Sequence, residues 1–303
     1  MKTTIIGAGA MGGLFGGLLA EAGADVWLCD VWAEHVEAMT RSGLWIEREG
    51  VVRSIPVRAA CDPAQIRPAE LVLLFVKSTQ TRSAALVARE LAEPRGLFLT
   101  LQNGLGNADA IAECVDPARV MAGTTAHGAT LLGPGRIRHA GVGPTRIGMW
   151  AGGDPAHARR VAAVLTAAGI ETEAVEDVRS VVWDKLLVNV GINAITALTG
   201  IRNGQLLDLE ATRDLVRAAV EEAAAVATAA GLTVRQDAVE HVFQVAKATG
   251  GNRSSMGQDV DHKRPTEIGA INGAVVREGR RQGVETPVNR ALAVLVETLQ
   301  AHF

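Results

Sequence analysis

An α/β sheet domain followed by an all-α C-terminal domain is the fold class that this 303-residue sequence predicts. Three observations predict it. Short β-rich runs alternate with helical patterns through the first half, the signature of a parallel sheet covered by crossover helices. A glycine-rich turn, Gly7-Ala8-Gly9-Ala10-Met11-Gly12, joins the first strand pattern to the first helix pattern. Past about Val175 the segments are helical by period and propensity. The length suits two domains of roughly 100–200 residues each, and we place them at 1–175 and 176–303.

The elements follow in order. TTIIGAG reads as a strand and Gly12 to Ala22 as a helix ending near Gly23. DVWLCD is the second strand, and AEHVEAMTRSG a helix stopped by Gly43. LWIEREG and VVRSIPVRA, joined around Gly50, form a hairpin insertion. ELVLLFVK is continuously apolar, as a strand buried on both faces should be. STQTRSAALVARELA is a helix, GLFLTLQNG a strand, and RVMAGTTAHGAT another. RIRHAGVGPTRIGMW has the alternation and Gly/Pro punctuation of antiparallel strands. In the helical half, 250–255 is a polar break, and Pro265 sets a second break just before Thr266.

Composition narrows the class of function. Hydrophobic residues make up 48% but aromatics only 3%, with no Tyr, so both cores are built from Ala, Val, Leu and Ile. A net charge of -3 gives no electrostatic reason to expect nucleic acid or an anionic membrane as partner. Cys29, Cys61 and Cys114 are odd in number and widely spaced, which fits free thiols in a reducing cytoplasm and no zinc site. The apolar stretch after Lys2 mimics a secretory leader, but its glycines fall in a meaningful phase and a strand follows directly.

That phase carries chemistry. Gly7 permits a tight turn, Gly9 the close approach of a pyrophosphate, and Gly12 close helix–strand packing, while the helix N-terminus offers N–H groups to phosphate. A Gly-Xaa-Gly-Xaa-Xaa-Gly alone is weak. Here the strand, the helix and Asp30, an acidic residue ending the second strand, agree on a Rossmann dinucleotide site. Asp30 would accept the adenosine ribose hydroxyls and repel a 2′-phosphate, unless it merely caps the next helix. With no Arg or Lys from 25 to 37, NAD(H) is favoured, and NADP(H) is not excluded. Lys77 and Asn103 end two further strands, where ligands bind in open parallel sheets, so both are placed to meet the nicotinamide half. His127 reads as a hydrogen-bonded structural histidine.

The run WDKLLVNVGINAITALTG is the most informative of the helical half. Lys185, Asn189 and Asn193 fall at i, i+4 and i+8, one ridge of a helix whose other positions from 186 to 195 are apolar or Gly. Polar groups on a buried helix need partners. Either the protein supplies them, or the ridge lines a substrate site where a partly desolvated lysine can donate a proton near neutral pH. Asn252 to Ser255 and Thr266-Glu267, taken singly, read as helix-cap and first-turn residues.

Taken together, these motifs resemble the ketopantoate reductase family. The chain shares GAGAMG, VKS at 76–78, QNG at 102–104, WDKLLVNVGINAITAL, NG at 203–204, NRSSMGQD at 252–259 and TEIGAING at 266–273, in family order and spacing. The resemblance implies a Rossmann domain followed by an all-helical domain. It implies Lys185 as the catalytic lysine and Glu267 as the catalytic glutamate. Asn189, Asn193, Asn203 and Asn252 would bind substrate, Ser255 its carboxylate, and Lys77 and Asn103 would serve the cofactor side. Hydride would pass to a 2-oxo acid while Lys185 protonates the oxygen, in a cytoplasmic enzyme, with a homodimer admitted. Three departures stand out. Asp30 replaces an Arg that grips the NADP phosphate in many members, Gly269 replaces the acid of TEID, and Gly257 stands where Leu is common. The first bears on the cofactor and the other two on which acid is the substrate. Two other readings are a β-hydroxyacid dehydrogenase, which should show a DAPVSGG-like segment absent here, and a non-catalytic NAD-binding redox sensor.

Overall fold

The structure, a computed structural model, describes residues 1–303 and divides into two compact units: Met1–Gln102 with Asn107–Val178, and Asn103–Gly106 with Arg179–Phe303.

In the first unit the strands are β1 (Thr3–Ile6), β2 (Val26–Cys29), β3 (Leu44–Arg48), β4 (Val51–Ile55), β5 (Arg58–Ala60), β6 (Ala69–Leu74), β7 (Ala92–Thr100), β8 (Val120–Thr125), β9 (Gly128–Gly133), β10 (Arg136–Gly141), β11 (Thr145–Met149) and β12 (Thr172–Ala174). The helices are α1 (Ala10–Glu21), α2 (Ala33–Ser42), α3 (Thr81–Leu91), α4 (Asn107–Ala112) and α5 (Pro155–Ala167). Eight strands form one sheet in the order β12-β11-β8-β7-β6-β1-β2-β5. From β8 to β5 every pairing is parallel, and β11 runs antiparallel to β8. The order reverses between β1 and β6, which sets the ligand-binding crevice beyond the carboxyl ends of those strands. β1 is wholly buried and β6 nearly so, as the unbroken apolar run required.

A second sheet, β4-β3-β10-β9, lies in the same unit. The expected β3–β4 hairpin forms, but it is half of this sheet, with β10 parallel to β3 and antiparallel to β9. The sequence reading needs correcting at three places. The run 119–130 is two strands in different sheets, not one, and β10 and β11 do not pair with each other. Pro155–Ala167, a stretch without a predicted element, forms α5, with Asp154 accepting the Ala156 N–H at 2.9 Å, Pro155 in the first turn and Gly169 beyond its end in a left-handed conformation. Those three signals were present in the sequence.

The N-terminal apolar stretch is β1 and α1. Helix α1 packs between the two sheets because its buried face is largely glycine. A Cβ at Gly16 would meet Leu28 of β2 at 2.2 Å, and one at Gly17 would meet Ile46 of β3 at 2.5 Å.

The second unit is helical: α6 (Val178–Thr199), α7 (Glu210–Ala229), α8 (Ala238–Ala248), α9 (Ser255–Asp261), α10 (Asn272–Gln282) and α11 (Pro287–Gln300). Helix α6 is its core element. A Cβ on Gly191 would lie 2.8 Å from Val242 of α8 and 2.9 Å from Val220 of α7, so glycine lets three helices close on one point. By length and composition α6 is apolar enough to cross a membrane, but 67% of its most apolar window is buried within the protein.

Candidate active site

The glycine turn comes first. Gly7 has φ +89 and a Cβ there would clash with Val76 N at 2.8 Å, while a Cβ on Gly12 would lie 1.9 Å from the Gly7 carbonyl oxygen. At Gly9 a Cβ would meet nothing within 4 Å. The turn is closed where the fold needs closeness and open at the glycine assigned to pyrophosphate. Gly9 caps α1 without a side-chain acceptor, and no acidic residue stands in the first turn formed by Ala10, Met11 and Gly12. The N–H end of a 12-residue helix is therefore available to phosphate oxygens. These residues fit a dinucleotide pyrophosphate.

Asp30 ties this turn to β2. Its Oδ2 accepts the Ala8 N–H at 2.7 Å and its Oδ1 the Trp32 N–H at 2.9 Å. Each carboxylate oxygen can accept more than one bond, so these contacts fix Asp30 without using it up. Nearby, burial pushes the Cys29 thiol up to about 11, with Asp30, Cys61 and Asp62 adding to the rise. Asp30 and Asp62 thus make the end of β2 electronegative.

Lys77 follows β6 at the carboxyl edge, before a short turn at Ser78–Gln80. Gln102, to which sequence reasoning gave no role, secures that turn: its Nε2 donates to the Val76 carbonyl at 2.6 Å and to Thr81 Oγ1 at 2.9 Å. Only its place beside Asn103 in the QNG motif could have flagged it. His127 Nδ1 lies 3.0 Å from His139 Nε2, which accounts for it as a hydrogen-bonded histidine. Burial and then the neighbouring imidazole lower its pKa.

In the helical unit, Lys185, Asn189 and Asn193 lie on α6. Burial pushes the Lys185 ammonium down to about 8 from 10.5, and the Glu267 carboxylate opposes that fall. Glu267 precedes a short turn, Ile268–Ala270, that leads into α10. The Nδ2 groups of Asn189 and Asn193 are buried without a hydrogen-bond partner. An orphaned buried amide costs roughly 1–3 kcal/mol. Asn203 donates its Nδ2 to Thr249 Oγ1 at 2.9 Å and leaves Oδ1 unpaired. Its backbone N–H reaches the carbonyl of Asn252 at 3.0 Å, so those two loops are joined. Ser255 is exposed and opens α9. Ser254 is the cap, accepting the Gly257 N–H at 3.0 Å and the Thr196 hydroxyl at 2.7 Å. Asn103 and Gly104 belong to this unit, where the Leu105 N–H donates to the Ala270 carbonyl at 2.8 Å. Gly104, at φ +85, comes so close to Ala270 that a Cβ would lie 2.3 Å from its oxygen. This segment therefore brings Asn103 to the turn that follows Glu267. A desolvated ammonium, a carboxylate opposing its loss of charge and amide donors with unused hydrogens can together bind and protonate a carbonyl oxygen.

The fold and the glycine turn define a dinucleotide-binding oxidoreductase. Family models add the rest: ketopantoate reductase PanE/ApbA matches residues 3–152, and its C-terminal model matches residues 177–300. The 2-dehydropantoate 2-reductase of Halobacterium salinarum is 40% identical over 301 residues, covering 99% of each chain. The structure of a PanE/ApbA family ketopantoate reductase from Ralstonia eutropha has a TM-score of 0.92 at 35% identity, covering 100% of this chain and 99% of that one. A D-mandelate dehydrogenase, solved with NADH and anilino(oxo)acetate, has a TM-score of 0.93 at 28% identity over 100% and 99%. The chain belongs to the ketopantoate reductase family, whose members bind a nicotinamide cofactor.

Proposed function

We propose that this protein reduces ketopantoate to pantoate, on the route to pantothenate and coenzyme A, with NADH as the preferred reductant. The observation that carries the reading is the Lys185 ammonium, lowered by burial to about 8, opposed by Glu267 and sharing one ridge with two unpaired amides. The cofactor, when bound on Gly7, Gly9, Ala10, Met11 and Gly12 with Asp30, Lys77 and Asn103, supplies the hydride. As the carbonyl carbon gains that hydride, the π electrons move to oxygen and the Lys185 Nζ proton follows them. Solvent then restores the proton to Lys185. Asn189, Asn193, Asn203, Asn252 and Ser255 hold the substrate's oxygens, and Glu267 holds its distal hydroxyl and positions Lys185. NADH is preferred because Asp30 and Asp62 make the end of β2 unfavourable to a 2′-phosphate. We place the enzyme in the cytoplasm, acting on a small 2-oxo acid without nucleic acid or membrane, and compatible with a homodimer.

One observation favours a second reading, a 2-hydroxyacid dehydrogenase paralogue. Gly269 replaces an acid, and a Cβ added there would meet nothing within 4 Å, so packing does not require glycine at this position two residues after Glu267. The likeness to a D-mandelate dehydrogenase points the same way. NADH and NADPH oxidation against ketopantoate and a panel of aliphatic, branched and aromatic 2-oxo acids separates the readings. Ketopantoate with NADH should give the highest kcat/KM. Much faster turnover of acids lacking a distal hydroxyl establishes the paralogue, and bound NADH with no turnover establishes a sensor.

A further inference from the structure

Glu267 sits in a turn that is held from both sides. Before it, Thr266 is tied to α11, with Gln300 Oε1 accepting the Thr266 N–H at 3.0 Å and its hydroxyl at 2.8 Å. After it, Ala270 is tied to the 103–106 segment. Beyond Ala270, at the start of α10, a chain of hydrogen bonds begins whose polarity is fixed at one end by a charge. The Glu222 carboxylate on α7 can only accept. It takes the Val288 and Asn289 N–H groups at 2.8 and 2.9 Å and the Asn289 Nδ2 at 2.8 Å. Asn289 Nδ2 gives its second hydrogen to the Ala219 carbonyl at 2.9 Å. Both amide hydrogens are then committed, so Asn289 must present Oδ1 outward, where it accepts Asn272 Nδ2 at 3.0 Å. Asn272 is thereby held in one orientation, with its own Oδ1 buried and unpartnered.

Asn272 and Asn289 are both completely buried. The unpartnered Asn272 acceptor costs roughly 1–3 kcal/mol, which offsets part of what the network contributes to stability. Position is what it delivers. The anchored residue lies five places after Glu267, and the Glu267 carbonyl accepts the Ala270 and Ile271 N–H groups at 2.9 and 3.1 Å, so the intervening turn is short and closed. We infer that Asn289, oriented by Glu222 and acting with Gln300, is a positioning residue that sets the Glu267 carboxylate against Lys185 and so helps keep the lysine protonated at working pH. The inference rests on reading Lys185 as the proton donor. Around that lysine the charged group that acts on it is Glu267, while its neighbour Asp184 acts on Arg235 instead.

The test is the pH dependence of ketone reduction in wild type, Asn289→Ala and Val296→Ala. Val296 is a buried apolar residue of the same helix, so its truncation weakens packing without touching the network. Wild type should lose kcat/KM as pH rises through about 8, where Lys185 gives up its proton. Asn289→Ala should move that limb to lower pH and reduce kcat by about tenfold, short of the 10²–10⁴ that loss of the acid itself would bring. Val296→Ala should lower Tm and leave the limb in place. Should Asn289→Ala not fold, Gln300→Ala, at the partly exposed end of α11, takes its place with the same expected shift. A limb present in wild type but unmoved in the network variants overturns the inference alone. A wild-type profile with no such limb overturns the Lys185 reading, and the inference with it.

Discussion

Asp30 and Gln102 in the first unit, and four asparagines in the second, meet their hydrogen-bonding needs in different ways. Asp30 accepts two backbone N–H groups beside the glycine turn and Gln102 donates to Val76 and Thr81, while Thr4, Trp27 and His127 of the same unit each keep one buried atom without a partner. In the helical unit the polar groups that point to chemistry are left short, with Asn189, Asn193, Asn203 and Asn272 each holding a buried atom without a partner. The first unit presents a rigid frame of backbone donors for a ligand common to many enzymes. The second keeps unspent hydrogen-bonding capacity and a lysine lowered to about 8 by burial, both of which cost stability and both of which a substrate can use. On the proposed reading, cofactor binding rests on backbone geometry, and substrate chemistry on side chains the fold alone does not satisfy.

The largest effect expected from breaking this division is at Lys185. Removing a positioned acid costs roughly 10²–10⁴ in rate. Lys185→Ala should lower kcat in that range in steady-state assays, with NADH affinity nearly unchanged. Lys185→Arg should not restore it, because guanidinium is too weak an acid to release its proton. The direction of the pH effect follows from the lowered pKa: reduction needs the protonated lysine and falls above about 8, whereas oxidation of the hydroxy acid needs the neutral one and rises there. Near-normal kcat in the alanine variant would move the proton source elsewhere.

A smaller effect is expected in the frame. Asp30→Arg should narrow or invert the preference for NADH over NADPH, by about tenfold or more, equivalent to about 1.4 kcal/mol. Because Asp30 accepts the Ala8 and Trp32 N–H groups on its two oxygens, Asp30→Asn is the companion variant: it removes the charge and keeps the size, at the loss of one of those two hydrogen bonds. If kcat/KM ratios for the two cofactors are unchanged in both variants, or wild type already prefers NADPH, the electronegative end of β2 does not select the cofactor.

The same division explains what could be read from the sequence. Gly7, Gly9 and Gly12 were legible because a backbone turn needs glycine at fixed spacing, and the spacing is the signal. The α6 ridge was legible as a ridge, since period 3.6 places 185, 189 and 193 together. Whether the protein satisfied those amides depended on side chains distant in sequence, which no local pattern contains. The second sheet escaped notice because β3 and β10 pair across some ninety residues. Gln102 and Asn289 escaped for a related reason: their roles lie in contacts to residues 17 to 70 positions away.

The smallest effect sharpens the comparison most, because its sign differs between Gln102 and Asn193. Replacing a satisfied buried amide leaves its former partners exposed to the loss. Gln102→Leu would orphan the Val76 carbonyl and one bond to Thr81, and should lower Tm by several degrees, at roughly 2–8 °C per kcal/mol. Asn193→Leu substitutes a side chain of similar size on a helix whose neighbours are apolar, and removes an Nδ2 that has no partner to lose. Tm should therefore hold or rise by a few degrees, while kcat/KM for the 2-oxo acid falls about tenfold, the trade expected where a group is kept for function against stability. Thermal melts and steady-state assays on the two variants decide it. A fall in Tm for Asn193→Leu as large as for Gln102→Leu would mean that the Asn193 amide is satisfied after all, and the contrast between these two side chains would fail.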